Sequence, residues 1–364
     1  MTDKKDMLHV SYPPHMQSGE SIPGVMWSVV GALAPACAFA VYLFGPPVLV
    51  LIIVSVISAV TAEASMQFLL KRPVTAYDGS AAVTGLLLAM NVPPLAPVWM
   101  VALGSFFAVI IVKQLFGGLG FNIFNPALAG RAFLMASWPL AMTTKWYSFS
   151  AGNVLSPDIG NSFGFPPAAF DALTRATPLS LLKEGQKLLA DNNVAADRLY
   201  DLVTSPAMLK SLFLGNVGGV AGETSALLLL AGALFLLFRR IITWHIPVAF
   251  IGTVALSTAV YYYTAAVPCF YLMALFHCLS GGLFLGAFFM ATDVVTSPVS
   301  AKGMIAFGAG CGLITSVIRL WGGYPEGVAY SILIMNAFVP LIDRFTRPRV
   351  FGTRVSARTA GVER

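Results

Sequence analysis

The chain has 364 residues, of which 57% are hydrophobic and only 10% charged, whereas a soluble domain carries about 25% charged residues to face water. That balance excludes an ordinary water-soluble enzyme. The net charge of +6 does not indicate nucleic-acid binding, because the Lys and Arg residues lie between apolar runs and in the tail Arg344–Arg364, the pattern of cytoplasmic membrane anchoring.

In chain order, the opening MTDKKDMLHVSYPPHMQSGE is polar for too long to resemble a cleaved signal with an apolar core. The first apolar run is therefore expected to remain as an anchor. Apolar runs predict helices over 25–44, 48–70, 80–93, 96–115, 121–140, 222–238, 246–264, 268–291, 303–320 and 328–343. The stretch 80–93 is Gly-bearing and shorter than the roughly 20 residues of a full crossing. Broken or re-entrant helices are expected there, since freed backbone is tolerated only against protein or an internal cavity.

The clusters Lys71/Arg72, Lys113, Arg239/Arg240, Lys302 and the Arg-rich tail fall on one side if both termini are cytoplasmic. Arg319 falls outside that rule. Segment 141–221 becomes extracytoplasmic by alternation. It divides the chain into an N-terminal tail 1–24, a first five-helix half 25–140, the loop 141–221, a second five-helix half 222–343 and a C-terminal tail 344–364. Because five is odd, two related halves must be inverted relative to one another. A faint internal trace agrees: Asp78–Pro94 aligns with Leu279–Pro298, with Gly85 opposite Gly286.

Cys37, Cys269, Cys278 and Cys311 all lie in apolar runs without a close CxxC pair, so they read as small buried hydrophobes rather than a metal or redox site. Glu63, Asp293 and Glu223 lie in or at the ends of apolar runs. An ionisable group there is costly unless it is paired or faces a cavity, although an interfacial side chain reaching water explains the same pattern. Glu63 and Asp293 are taken as candidates for an ion path.

Three stretches carry chemistry. In Phe116–Leu134, FGGLGFNIFNPALAGRAFL, the glycines permit tight backbone and Asn122 and Asn125 bring carboxamides. No phosphate-cradling GxGxxG follows a strand there, and a Gly-rich helix start with Asn caps is the plain alternative. In Phe170–Gly185, FDALTRATPLSLLKEG, Thr174 or Thr177 is placed to cap a short helix with Pro178 at its first position. No His or Lys is visible as a base for either hydroxyl, so covalent chemistry on it needs a separate enzyme. The third stretch joins His277–Gly303 to Ile318–Arg344.

The segment Asp171-Ala-Leu-Thr174-Arg-Ala176-Thr177 resembles the Asp-x-x-Ser/Thr-Gly-Ala-Thr signature at which a flavin transferase attaches FMN through a phosphoester, with Arg175 in the usual small position. GGLGFNIFNPAL, SGGLFLGAFFMATD, GGYPEGVAY and MNAFVPLID extend the similarity over nearly the whole chain. Together they resemble the D-type subunit of the Rnf ion-translocating electron-transport complex and its relative, the B-type subunit of the sodium-pumping NADH:quinone reductase. The short N-terminal tail favours the former.

The resemblance implies an all-α polytopic protein similar in fold to urea and ammonium transporters, and a covalent FMN on Thr177. It also implies a riboflavin held without a covalent bond near Asn122 and Asn125. Partners would be the other membrane and soluble iron–sulfur and flavin components of an Rnf complex, together with the transferase, in a bacterial or archaeal cytoplasmic membrane. The chain would not be catalytic alone. Rival readings are a flavin-free urea-type solute channel and a structural platform that carries no electrons. Sequence does not separate Na⁺ from H⁺ as the coupling ion.

Overall fold

The computed structural model describes residues 21–144, 177–180, 182–183, 196–215, 217–267 and 269–347, and every regular element among them is helical. Helices α1 (Ile22–Phe44) and α2 (Pro46–Leu69) are long and apolar. Ser21 caps α1 by accepting from Gly24 N, and Gly45 at φ 77° separates the two helices before Pro46 opens α2, the arrangement expected of a polar cap and a helix-opening proline. A 3₁₀ turn, Ala76–Asp78, leads into α3 (Ser80–Met90).

Next come α4 (Val98–Gln114), α5 (Pro126–Ser137) and the short α6 (Pro139–Thr144). The second half of α4, Phe107–Gln114, widens into π-type turns, a local defect frequent at functional sites. After α7 (Ala196–Val203) and α8 (Pro206–Leu214), the chain continues through α9 (Ala226–Phe238), α10 (His245–Thr264) and α11 (Phe270–Leu279). It ends with α12 (Leu283–Met290), α13 (Ala301–Trp321) and α14 (Val328–Thr346).

Helices α1, α2, α10, α13 and α14 are long and apolar enough to cross a bilayer, and the pair α11 and α12, bent by 61°, supplies a sixth span if taken as one. The chain is a multi-pass membrane protein. Helices α3, α4 and α9 are apolar but shorter, as is α5.

Several expected boundaries shift. The run 121–140 does not start a helix until Pro126, because the Gly-rich stretch before it turns and Asn125 accepts from Ala127 N and Leu128 N as the cap. The run 268–291 is two helices: Gly281 and Gly282 take φ 68° and 64°, a left-handed conformation that glycine adopts without a Cβ clash. In 222–238, Glu223 belongs to a 3₁₀ turn ahead of α9.

Helix α2 packs on both α3 and α4, while α10 packs on both α11 and α13. Helices α1 and α9 pack together, as do α5 and α14. The main core lies between these layers and includes Leu88, Met100, Leu134, Phe250, Phe289 and Phe307. Cys278 and Cys311 are buried, Cys37 and Cys269 partly so, and all four are free thiols.

Candidate functional site

Two polar regions are set into this apolar framework, one where α2 and α4 end and α3 begins, the other where α10, α11 and α13 end. The first is a chain of buried charges. Lys113, in the widened end of α4, places Nζ 2.7 Å from Glu63 Oε1 of α2 and donates to Ser80 Oγ at 2.6 Å. Gln114 Nε2 donates to the same Glu63 oxygen at 2.7 Å. Ser80 Oγ and backbone N both donate to Asp78 Oδ1, at 2.6 and 2.8 Å, so Asp78 also secures the start of α3.

Lys113 and Ser80 reach the wall of a cavity of about 110 Å³ whose polar lining includes Thr84, Asn122, Asn125 and Asp293. Asn125 is doubly committed, capping α5 while its Nδ2 donates to Met290 O at 3.1 Å. Asn122 Nδ2 donates to Phe124 O at 3.2 Å. Asp293, just past α12, accepts from Val295 N and Thr296 Oγ1. Burial pushes its carboxyl up from the ordinary value, against the opposing pull of these bonds and of the Lys113 ammonium. The candidates Asn122, Asn125 and Asp293 therefore share one cavity, and Glu63 joins it through Lys113.

The second region is built around guanidinium groups. Arg319, near the end of α13, donates through Nη1 to His277 O and through Nη2 to Ser280 O and Gly281 O. It thereby holds the bend between α11 and α12. His277 Nε2 pairs with Tyr262 Oη at 3.1 Å. Arg131 of α5 donates to Asn91 Oδ1 at 3.0 Å and pairs with Glu326, lining a second cavity of about 40 Å³ with Tyr324 and Tyr330. Burial alone would raise the Glu326 carboxyl, but the Arg131 guanidinium beside it holds it below the ordinary carboxylate value.

Thr177 lies at this second region. Its Oγ1 accepts from Ser180 N at 3.2 Å and sits 2.8 Å from Ser180 Oγ, with Pro178–Ser180 helical, so it caps a short helix. The residue is 2% exposed. Leu179 and Lys183 line a small pocket with His277 and Arg319, and Lys183 Nζ donates to Tyr324 O at 2.8 Å. Asp171, Thr174 and Ala176 lie outside the described residues.

Two basic residues need reassignment. Lys113, counted above as an interfacial anchor, is 2% exposed and paired. Arg319, the exception to the charge rule, is a buried clamp on backbone carbonyls. Sequence reading also passed over Ser80, Asp78, Arg131 and Glu326. The available signal was a cation inside each of the apolar runs 96–115, 121–140 and 303–320, which demands a buried partner. Among the described residues no three His, Cys, Asp or Glu side chains converge to hold a metal ion.

A sequence profile of the NQR2, RnfD, RnfE family matches residues 9–352. The chain is 47% identical, over 96% of its own length and 98% of the relative's, to the D-type subunit of the proton-translocating ferredoxin:NAD(+) oxidoreductase complex of Clostridium ljungdahlii. It is 46% identical, over 95% of each chain, to the D-type subunit of the Na(+)-translocating ferredoxin:NAD(+) oxidoreductase complex of Acetobacterium woodii. Against the D-type subunit of the ion-translocating oxidoreductase complex of Stutzerimonas stutzeri the identity is 44%, over 91% of this chain and 92% of the relative.

Proposed function

Since the chain belongs to the NQR2, RnfD, RnfE family, we propose that it is the D-type membrane subunit of an ion-translocating ferredoxin:NAD(+) oxidoreductase complex. In this reading it contributes an electron-carrying flavin and part of the ion path. The observation that carries the reading is near-full-length identity of 46–47% to relatives that bear this name. The same names favour it over the B-type role in a sodium-pumping NADH:quinone reductase. Its partners are then the other Rnf subunits, and its work is done in the assembled complex.

The proposed architecture is ten crossings in two inverted five-helix halves, 25–140 and 222–343, with tails 1–24 and 344–364. The packing supports it: the first helices of the halves pair as α1 with α9, the fifth as α5 with α14, and in each half the second packs on the third and fourth. With both termini cytoplasmic, loop 141–221 and Thr177 are extracytoplasmic. Moving Lys113 from the anchors to the interior leaves Lys71/Arg72, Arg239/Arg240, Lys302 and the tail in support.

Thr177 is proposed as the attachment point of FMN, with Asp171, Thr174 and Ala176 read by the flavin transferase. A threonine hydroxyl suits a phosphoester. Because Thr177 is buried as a helix cap, the transferase has to meet the segment opened, before Leu179 settles against Gly281 and Arg319. At the opposite region, Asn122 would offer its carboxamide oxygen to a riboflavin on the wall of the larger cavity, while Asn125 shapes that wall through its cap on α5 and its bond to Met290 O. A flavin supplies one- and two-electron redox chemistry when bound; the chain supplies position, a dry site and charge.

The test is a denaturing gel of the chain made alongside the transferase and viewed under ultraviolet light. A fluorescent band that disappears in Thr177→Ala supports the reading, and an unlabelled wild-type band sinks it. For the ion path, Asp293→Asn in the reconstituted complex is expected to reduce ion pumping more than electron flow. Equal loss of both would remove Asp293 from that path.

A further inference from the structure

The charges around the larger cavity do not balance. Among the described residues, Glu63, Asp78 and Asp293 share the neighbourhood with one ammonium, Lys113. Lys71 and Arg72, the next cations after Glu63 along the chain, are both exposed, and Arg72 donates to Gly117 O at 3.0 Å. Buried carboxylates without matching cations are costly, so this region is short of positive charge.

The hydrogen bonds show where the shortage is felt. Lys113 Nζ and the Gln114 and Gln67 amides all point to Glu63 Oε1, at 2.7, 2.7 and 3.5 Å. Glu63 Oε2 is buried and has no partner, although an ionised carboxylate oxygen out of water needs one. The residue is 1% exposed. The donors that crowd Oε1 include one that moves easily: an ammonium on a flexible four-carbon stem, reaching a cavity wall.

We infer that the Glu63 carboxylate is the seat of a monovalent cation, Na⁺ or H⁺, and that the Lys113 ammonium is its tethered competitor, able to leave Glu63 for an anion in the cavity. Three convergent His, Cys, Asp or Glu ligands are absent among the described residues, which argues against a divalent-metal cage. A monovalent ion is content with one carboxylate plus neutral oxygens, and Thr75 Oγ1 and the Gln67 amide stand in the same network. When negative charge enters the cavity, Lys113 gains a reason to turn from Oε1 to it, and the freed carboxylate then takes up an external cation. For its purpose the inference rests on the reading of Glu63 as part of an ion path; its geometry is independent of that reading.

The test uses the full chain in lipid nanodiscs, titrated calorimetrically with NaCl against choline chloride, with a parallel arm that counts protons taken up on acidification. The two arms separate Na⁺ from H⁺. Lys113→Gln, which removes the competitor, is expected to bind one of the two at least about tenfold more tightly than wild type, a gain of about 1.4 kcal/mol. Lys113→Arg, whose fork can take both carboxylate oxygens, should bind the cation no more tightly than wild type, and Glu63→Gln should not bind. No gain in either arm for Lys113→Gln, or undiminished binding in Glu63→Gln, overturns the proposal. If Lys113→Gln does not fold, cation-dependent thermal stabilisation of wild type decides: it must vanish in Glu63→Gln. Normal coupling of pumping to electron flow in a Glu63→Gln complex would remove Glu63 from the ion path while leaving the competitor standing. Uncoupling without any binding change in Lys113→Gln would do the reverse.

Discussion

Lys113 near the end of α4 and Arg319 near the end of α13 each reach the approach to a short helix, α3 and α12 respectively, yet they are held differently. Arg319 turns its two Nη groups on the carbonyls of His277, Ser280 and Gly281, a planar fork set into backbone that does not titrate. Lys113 faces a carboxylate and a hydroxyl beside a cavity, in a region with more acids than cations among the described residues. A guanidinium on carbonyls is suited to holding a bend. An ammonium on a carboxylate is suited to exchange. The contrast teaches that a buried cation in an apolar helix has its role set by what it touches, and that these two diverge.

The largest effect is expected from Arg319→Met. It leaves three carbonyls at the bend between α11 and α12 without their donor, and each buried acceptor left unsatisfied costs about 1–3 kcal/mol. Thermal unfolding in detergent should show a large fall that NaCl does not restore; an unchanged midpoint would mean that Arg319 does not hold the bend. Next is Lys113→Gln in choline buffer, which strands Glu63 and should cost on the order of 3 kcal/mol. Here added cation is expected to rescue, because a ligand at a hundredfold excess over its Kd restores about 2.7 kcal/mol. If the cation recovers Arg319→Met as well as Lys113→Gln, the two ends are alike and the comparison fails.

How far these features were legible in the sequence follows the same division. The long helices α1, α2, α10, α13 and α14 were readable because hydrophobic runs of that length have few alternatives. The short pieces were readable as short, but their ends were set by local chemistry: the Asn125 cap, the Gly281–Gly282 turn and the Asp78 bonds at Ser80. Asn122, Asn125 and Asp293 were singled out individually, and only the folded chain brings them to one cavity. The Glu63–Lys113 pair spans fifty positions between different helices, and periodicity carries no information on such a pairing. Thr177 was legible as a cap, which is how it stands in the structure.

The smallest effect is expected from Glu63→Gln, and it tests the comparison most closely. Glutamine keeps the shape of the side chain, can still accept from Lys113 Nζ and Gln114 Nε2, and replaces the unpartnered oxygen with a neutral group. One of the surplus negative charges around Lys113 is lost at the same time, which relieves the imbalance among Glu63, Asp78 and Asp293. Stability should stay within about 1 kcal/mol of wild type, while any stabilisation by Na⁺ or by acid seen in the wild-type chain disappears. A structural ion pair behaves otherwise, since removing one partner leaves a buried ammonium uncompensated at about 3–5 kcal/mol. A loss of that size in the unfolding curve of Glu63→Gln would make Lys113 a clamp like Arg319. A small loss with the cation response gone would place the exchangeable charge of this protein at the end of α4.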